Sequence, residues 1–388
     1  MPSQAAEPRD FEAPKPVRFL HTADLHLAKP FGRFDEDTRA ALRQARLTAL
    51  RAIGEAARDH QADIIVIAGD TFDAETPPAK TINRALHVMA DVPNVTWVLM
   101  PGNHDSLAAV ELWERIAREA PDNLHLALTP EVIEIGEDLA ILPCPPTVRA
   151  PGMDLTAWTA HCETPGRIRI GLAHGGVVDF GSEAASPAII PPNRAETAGL
   201  DYLALGDWHG QMQLTPRTWY AGAPEPDSFK DHPPAGALLV DIAAPGAVPN
   251  VTPITLGTFQ WYDLQLMCLE GVDPLAELAQ TLPQTHRDTA LVRLTLSGRL
   301  GLSDHAALLS ACDDLREDFH HFEVHADSLG IAQSVTDLDL IAEAGALRTA
   351  ADKLMAATDL TGRSPEDAHV AQIALTHLFH LAQEDREA

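Results

Sequence analysis

The sequence has few of the features that would point to a membrane or secreted protein. No apolar run approaches the ~18 residues that a membrane-spanning helix needs, and the first 16 residues place acidic side chains among prolines, without the apolar segment of an export signal. The 4 cysteines are far apart and form no Cys-x-x-Cys pair, which is typical of reduced cysteines in the cytoplasm. We therefore expect a cytoplasmic protein without a membrane span, in which residues 1–16 form a disordered leader.

Positive charge is also scarce. The chain has 28 Lys and Arg residues against 56 Asp and Glu residues, so its formal net charge is −28. Such a surface repels polyanions, which argues against sequence-independent nucleic-acid binding through a broad basic face. A phosphate substrate must be held locally, and metal cations in a carboxylate-rich cleft could reverse the sign of the local potential.

One segment departs from this acidic average. Residues 29–51 contain six basic and three acidic residues, and Arg39, Arg43 and Arg46 share one flank of a predicted helix. This segment is the best candidate in the sequence for contact with a phosphate backbone. The alternative is an ordinary solvated helix face.

The length of 388 residues and the hydrophobic content of 45% allow a sizeable core and predict two domains. Residues 17–260 alternate apolar strands with amphipathic helices, which predicts an α/β fold. Later strands, including residues 219–224 and 236–242, are interpreted as a second sheet that completes a two-sheet sandwich flanked by helices. The sequence pattern predicts a small α/β domain over residues 261–335. Over residues 336–388 it predicts two helices that pack on that domain or on a partner.

Polar residues repeatedly follow the predicted strands of the larger domain. The clearest case is Gly102-Asn103-His104-Asp105, which follows the apolar run from Val95 to Met100. The same arrangement recurs four times, with Asp24 and His26 after residues 17–22, Asp70 and Asp73 after 63–68, His174 after 167–173, and Asp207 and His209 after 201–205. The carboxyl ends of strands in an α/β sheet are where sites form. Each segment alone could be a polar turn, but together they predict one site, and the alternation of side chains along an extended strand should point Asp24 and His26 to the same side.

The predicted site has oxygen and nitrogen donors and no thiolate. Its seven candidate ligands are Asp24, His26, Asp70, Asn103, His174, Asp207 and His209. This donor set suits two hard-to-borderline divalent ions, of which we expect manganese first, with magnesium or iron as alternatives. Two such ions, bridged by a carboxylate, are typical of enzymes that hydrolyse phosphoesters with an activated water.

The order of these motifs resembles the calcineurin-like binuclear metallophosphoesterase family over residues 17–240. The segments 21–27, 68–73, 201–206 and 220–224 are similar to those of SbcD-type DNA repair nucleases, which carry a capping domain where this chain has residues 261–335. The resemblance implies the metallophosphoesterase fold and a DNA nuclease, and leaves open whether it is an exonuclease or an endonuclease. It also implies a homodimer and an SbcC-like ATPase partner.

The resemblance implies a role for each candidate residue. Asp24, His26 and His209 would hold the first metal, Asn103, His174 and Asp207 the second, and Asp70 would bridge them. His104 would stabilise the developing charge or protonate the leaving oxygen, and Asp73 and Asp105 would orient His104.

One position departs from the family pattern. The family has Gly-His-x-His where this chain has Gly206-Asp207-Trp208-His209, so a carboxylate replaces an imidazole. A carboxylate is a harder donor, which should favour manganese or magnesium; alternatively, Asp207 does not reach the metal and the second site is weak.

Two other functions remain open. A phosphatase or phosphodiesterase that acts on a small nucleotide or a phosphoprotein would use the same metal core, and the acidic surface favours it. A non-catalytic interaction protein is the third hypothesis, against which the intact His104 and the seven ligand positions argue.

Overall fold

The computed structural model describes residues 15–177, 189–230, 235–332, 341, 345–358 and 364–387, so most of the predicted leader lies outside the described residues. The described strands are β1 (Val17–Thr22), β2 (Ile64–Ala68), β3 (Thr96–Met100), β4 (Leu124–Leu126), β5 (Ile133–Ile135), β6 (Leu139–Cys144), β7 (Ile168–His174), β8 (Tyr202–Gly206), β9 (Met212–Thr215), β10 (Thr218–Tyr220), β11 (Gly236–Ile242), β12 (Asn250–Thr255), β13 (Gln260–Cys268), β14 (Ala290–Leu300) and β15 (His321–Ile331). The described helices are α1 (Glu36–Asp59), α2 (Ala79–Ala90), α3 (Val110–Glu119), α4 (Arg194–Thr197), α5 (Pro274–Thr281), α6 (Leu302–Asp314), α7 (Ala346–Ala357) and α8 (Pro365–Glu387).

The chain forms two compact units. The first contains the described residues up to Asp227 and those from 235 to Thr258, and the second contains Ser228–Lys230 and the described residues from Phe259 onward. Thr258 and Phe259 mark the main division along the chain.

The first unit contains two mixed six-stranded sheets. The strand order is β12-β11-β1-β2-β3-β4 in one sheet and β5-β6-β7-β8-β10-β9 in the other. Strands β1 to β4 are parallel, as are β6, β7, β8 and β10, so each sheet brings several strand carboxyl ends to one edge. This arrangement confirms the predicted α/β two-sheet architecture.

The two sheets face each other across a shared core. Phe19, Val66 and Val98 from the first sheet pack in one cluster with Ile141 and Tyr202 from the second. A separate cluster packs helices α1, α2 and α3 on the outer face of the first sheet. The central strands are apolar on both faces, which is typical of parallel strands that are covered on both sides.

The expected membership of one strand is wrong. β11 does not belong to the second sheet, because it pairs antiparallel with β1 in the first sheet, with Val17 opposite Ile242. β12, which contains Pro253, then pairs with β11 and ends that sheet. A proline is tolerated there because an edge strand has one row of unpaired backbone groups.

The second unit has its own core. β13, β14 and β15 form a parallel sheet in that order, and Val292, Leu294 and Leu296 of the central strand pack in one cluster with Leu278 of α5 and Leu308 of α6. Helices α7 and α8 pack with each other and with α6 through Met355, Leu375 and Leu302. The terminal helices therefore contribute to a core within this chain.

The four cysteines form no disulfide, and Cys144, Cys268 and Cys312 are buried. Among the described residues, the helices are too short or too polar to cross a bilayer.

Helix α1 depends on a defined N-terminal cap. The Asp35 carboxylate accepts hydrogen bonds from the Thr38 backbone N–H at 2.9 Å and from its hydroxyl at 2.7 Å. These bonds lower the pKa of Asp35, so its stabilising effect is present at neutral pH and is lost as the pH falls through that lowered pKa.

We expect Asp35→Ala to destabilise the first unit by about 1 kcal/mol, because two donors at the start of α1 lose their acceptor. Urea unfolding at pH 7 measures the loss, and the difference from the unsubstituted chain should shrink as the pH is lowered below about 4. A difference that does not change between pH 7 and pH 3 would contradict the assigned cap.

Candidate metal centre

The predicted site residues meet where the two sheets of the first unit present their strand carboxyl ends. The first sheet supplies Asp24 and His26 after β1, Asp70 after β2, and Asn103 and His104 after β3, while the second supplies His174 at the end of β7 and Asp207 and His209 after β8. Each sheet therefore contributes part of the site, and the five predicted segments converge.

The backbone of this site is strained. Asp24, His26, Asp70 and Asp207 have positive φ angles of 55°, 43°, 52° and 100°, in a region that side chains other than glycine seldom adopt. Asp24 and His26 thus converge because of left-handed turns that follow β1, and the extended strand predicted at these two residues is wrong. Strain of this kind is concentrated at functional sites, where the surrounding structure holds it.

Two glycines allow the loops to approach each other. A Cβ on Gly69 would overlap the His174 ring, and a Cβ on Gly102 would overlap the Asp70 carboxylate. Gly69 also has a φ of 91°, which disfavours any other residue at this position. The close approach of the loop after β2 to His174 at the end of β7 therefore requires glycine at position 69. The close approach of the loop after β3 to Asp70 requires glycine at position 102.

The described side chains form three overlapping groups that could hold metal ions. In each group the candidate ligand atoms lie within 4.8 Å of one another, and the groups are Asp24 with His26 and His209, Asp24 with Asp70 and His174, and His26 with Asp70 and His104. Asp70 Oδ2 lies 3.7 Å from His26 Nε2 and 3.5 Å from His174 Nε2. The Asp70 carboxylate therefore lies between a histidine of the first sheet and a histidine of the second, and Asp24 likewise belongs to two of the three groups.

Two histidines are oriented by acceptors behind them. His174 Nδ1 lies 2.8 Å from the carbonyl oxygen of Ala68, and His26 Nδ1 lies 3.1 Å from Asp73 Oδ1. A ring that donates from Nδ1 leaves the lone pair of Nε2 for a ligand. In the part of the chain that the structure describes, the buried His174 Nε2 makes no hydrogen bond, which fits a metal-ligating atom.

Asp207 lies on the side of the site that contains His174. Its Oδ1 accepts a hydrogen bond from Asn103 Nδ2 at 2.9 Å and lies 3.8 Å from His174 Nε2. The Asp207 backbone N–H also donates to the Asp24 carboxylate at 3.1–3.2 Å. The carboxylate that replaces the family's imidazole therefore lies among the predicted ligands of the second metal.

Burial gives the site an unusual electrostatic balance. Burial raises the pKa of Asp24 to about 7, against the opposing effects of His174 and His209, and burial lowers the pKa of His26 to about 4. Burial opposes ionisation of Asp70, but His174, His26 and His104 together outweigh burial and lower the pKa of Asp70. Carboxylates gathered with so little water are a suitable environment for cations, and oxygen and nitrogen donors without thiolate fit divalent ions of the manganese and magnesium type.

Of the three predicted catalytic residues, His104 lies at the site with its side chain partly exposed. Its backbone N–H donates to Asp70 Oδ1 at 2.8 Å, and its Nδ1 lies 2.9 Å from the carbonyl oxygen of Asp73. The Asp73 backbone therefore orients His104, while the Asp73 carboxylate contacts His26.

The Asp105 carboxylate has a different use from the one expected. It is fully buried and accepts hydrogen bonds from the backbone N–H groups of Gly102 at 2.6 Å and Phe72 at 2.9 Å. These bonds tie together the loops after β2 and β3, and the carboxylate acts on His104 only through the backbone that it holds.

A second orienting carboxylate, Asp227, was not predicted from the sequence. Asp227 Oδ1 lies 3.5 Å from His209 Nδ1, and its Oδ2 contacts Lys29 Nζ at 2.6 Å and the fully buried guanidinium of Arg46 at 2.9 Å. Burial opposes ionisation of this group, but Arg46, His209 and Lys29 together outweigh burial and hold the pKa of Asp227 well below its usual range. Its position shortly after β10 was the only signal in the sequence.

The three arginines of the basic segment 29–51 do not form the single exposed flank of α1 that the sequence predicts. Arg46 does not share an exposed flank with Arg39 and Arg43, because it is buried against Asp227 and donates to the carbonyl oxygen of Leu25 at 2.6 Å. Arg39 pairs with Glu36. Arg43 remains exposed on α1.

The fold and the candidate metal centre agree with the result of the comparison with known families. Residues 17–211 match the calcineurin-like phosphoesterase family, which is half of the chain, and the protein belongs to that family. The site described above lies within these residues, apart from Asp227.

Several curated relatives are nucleases. The chain is 35% identical over 129 residues to the SbcD component of nuclease SbcCD from Escherichia coli (strain K12), a match that covers 33% of this chain and 29% of that protein. It is 27% identical over 296 residues to the SbcD component of nuclease SbcCD from Rhodobacter capsulatus, covering 61% and 69% of the two chains. An uncharacterized metallophosphoesterase, YhaO of Bacillus subtilis (strain 168), is 27% identical over 241 residues, covering 58% and 57%. The match to the Escherichia coli protein thus spans less than a third of that protein's length.

We expect Asp227→Asn to weaken manganese binding by about 10-fold, because the side chain keeps its shape but loses the charge that orients His209. Isothermal titration of the metal-free protein measures the change. Asp241→Asn is the matched control, since it removes a carboxylate that pairs with Arg18 on the surface of β11. Equal affinities in the Asp227→Asn variant and the control would contradict the orienting role.

Proposed function

We propose that the protein is a metal-dependent phosphodiesterase that hydrolyses DNA. The observation that supports this proposal best is the position of the Asp70 carboxylate, which lies within 3.7 Å of a histidine from each of the two sheets. A shared carboxylate between two ligand sets is the arrangement that two-metal phosphoryl chemistry requires. The relatives that belong to nuclease SbcCD support DNA as the substrate.

In this proposal each ligand set has a defined role. Asp24, His26 and His209 would hold the first metal, Asn103, His174 and Asp207 would hold the second, and Asp70 would contribute to both. When bound, two such ions supply Lewis acidity and an activated water for in-line attack on phosphorus. Manganese is the first choice, because Asp207 adds a hard oxygen donor where the family has an imidazole.

The chain's own residues handle orientation and the proton. Asp73 and the Ala68 carbonyl fix the rings of His26 and His174. His104, held by Asp70 and by the Asp73 carbonyl, is partly exposed and therefore accessible to a substrate. We assign it to protonating the leaving oxygen or stabilising the negative charge that develops on the phosphate.

The partners follow from the relatives rather than from this chain. By its name, the Escherichia coli relative is one component of a larger nuclease, which supports a partner protein. The SbcC-like ATPase and the homodimer are proposed from the resemblance of the sequence to SbcD-type nucleases. The role of residues 261–335 as a cap over the site also stays a prediction.

The proposed function predicts a clear order of substrates. With manganese, the protein should hydrolyse single-stranded DNA and bis(p-nitrophenyl) phosphate faster than p-nitrophenyl phosphate. His104→Gln should lower the rate on both diesters by 10²–10⁴-fold, roughly the contribution of a general acid, while retaining both metals by elemental analysis. Activity on the monoester alone would favour the small-substrate phosphatase, and a metal-loaded protein without activity on all three would favour the non-catalytic interaction protein.

The assignment of Asp207 as a ligand of the second metal can be tested by substitution. We expect Asp207→Ala to lose the second metal, because Asn103 and His174 remain without their third donor, whereas Asp207→His should retain it by restoring the family's imidazole. Metal content per chain after equilibrium dialysis against manganese measures both. Two metals bound equally by the unsubstituted chain and Asp207→Ala would refute the role of Asp207.

A further inference from the structure

A basic cavity lies between α1 and α2, beside the metal centre. It has a volume of about 430 Å³, and its wall includes Arg43 and Gln44 from α1 and Lys80, Thr81 and Arg84 from the first two turns of α2. Neither the ligand set nor the His104 chemistry uses these residues. The cavity therefore needs an explanation of its own.

The charge of this cavity is opposite to that of the chain as a whole. Its wall carries three cations, and no acidic side chain among the described residues lines it, although the net charge of the protein is −28. Among the described residues, Arg43 forms an ion pair with the exposed Glu36, at 3.6 Å. For Lys80 and Arg84 the described part of the chain offers no ion pair. Three cations that face one cavity repel each other, and an anion bound between them would relieve that repulsion.

Hydrogen-bond donors add to the positive charge. Helix α2 begins at Ala79 without a side-chain cap and without an acidic residue in its first turn. The Thr81 N–H donates to the Pro78 carbonyl at 2.8 Å, so the backbone donors left for an anion at this end are those of Ala79 and Lys80, where the helix dipole also favours an anion. The Thr81 hydroxyl and the Gln44 amide line the same cavity. Guanidinium, ammonium, hydroxyl and amide groups together are the donors that proteins use for phosphate oxygens.

The cavity is connected to the metal centre through a short segment of backbone. Leu27 and Ala28 line it, and they directly follow the candidate ligand His26, so the Cα atom of Ala28 lies at most about 8 Å from that of His26. This segment is fixed, because the Leu27 N–H donates to the Thr71 carbonyl at 2.9 Å and the Leu27 carbonyl accepts from the Asp73 N–H at 3.0 Å. A phosphate in the cavity would therefore have a defined position relative to the metals.

We propose that this cavity binds a second, non-scissile phosphate of a polynucleotide while another phosphate of the same strand lies at the metals. The inference rests on the proposed function and deepens it, because a phosphoester with a single phosphate has no second phosphate to place there. It also explains how a strongly acidic protein could hold a polyanion, since the attraction is confined to one cavity beside the reacting bond.

The test compares a cavity variant with a control of equal charge. The cavity variant is Lys80→Glu combined with Arg84→Glu, and the control is Arg51→Glu combined with Arg118→Glu, which changes exposed cations of α1 and α3 that do not line the cavity. The first readout is binding of a fluorescent single-stranded oligonucleotide by anisotropy, with calcium in place of manganese to prevent cleavage. The second is manganese-dependent hydrolysis of bis(p-nitrophenyl) phosphate.

We expect the cavity variant to bind the oligonucleotide about 10-fold more weakly than the control, with a smaller dependence on salt, because two phosphate contacts are lost. Its rate on the small diester should stay within about twofold of the control, and equal thermal unfolding midpoints would show that both are folded. Equal oligonucleotide binding by the two variants, or equal losses on both readouts by the cavity variant alone, would overturn the proposal.

The two proposals can fail separately. If the unsubstituted protein binds the oligonucleotide through the cavity but does not cleave it, the DNA hydrolase assignment fails and the binding site stands. If inorganic phosphate binds the unsubstituted protein and not the cavity variant, while oligonucleotide binding is the same in both, the cavity is a site for free phosphate and the polynucleotide inference is wrong.

Discussion

The burial of several carboxylates at one edge of two sheets is the constraint on which this structure depends. Moving an ionised group out of water costs several kcal/mol unless it is compensated. Here the compensation comes from the His174 ring beside Asp70, from backbone N–H groups that donate to Asp24 and Asp105, and from Arg46 beside Asp227. Much of the polar network is thus arranged so that negative charge can be kept where water is scarce.

The backbone carries a related cost. Four of the proposed ligands have left-handed backbone conformations, and Gly69 and Gly102 are needed because neighbouring loops lie where a Cβ would be. The Asp105 carboxylate ties these loops together through their N–H groups. The two packed sheets hold these loops at one edge, so the fold itself brings the proposed ligands together.

Much of this arrangement could be predicted from the sequence, because apolar strands followed by polar residues are a strong local signal. The predicted helix that carries Arg39, Arg43 and Arg46 is observed as α1 (Glu36–Asp59), and strand β1 has the predicted bounds. The position of a strand within a sheet was harder to predict from the sequence. β11 was assigned to the wrong sheet, because the apolar pattern of a strand does not specify which strand lies beside it. The short strand β9 and the exposed strand β12 were missed because they lack a long apolar run.

The candidate metal ligands that directly follow a strand could be predicted from the sequence. The residues that orient these ligands could not. Arg46 has the helical spacing of an exposed cation, and its burial depends on Asp227, which is 181 residues later in the chain. Asp105 has the sequence context of a catalytic carboxylate but is bound to backbone N–H groups. These roles depend on which loops meet, and that is decided by the packing of the two sheets.

The pairing of β11 with β1 has a consequence for how the protein is made. Val17 pairs with Ile242, so the first strand of the chain stays at an open sheet edge until more than 200 further residues have left the ribosome. Contacts between such distant residues form late because a long loop must first close. Translation therefore passes through a period in which β1 and the proposed ligands after it are present and β1 can pair with β2, but β11, the other neighbour of β1, has not been synthesised.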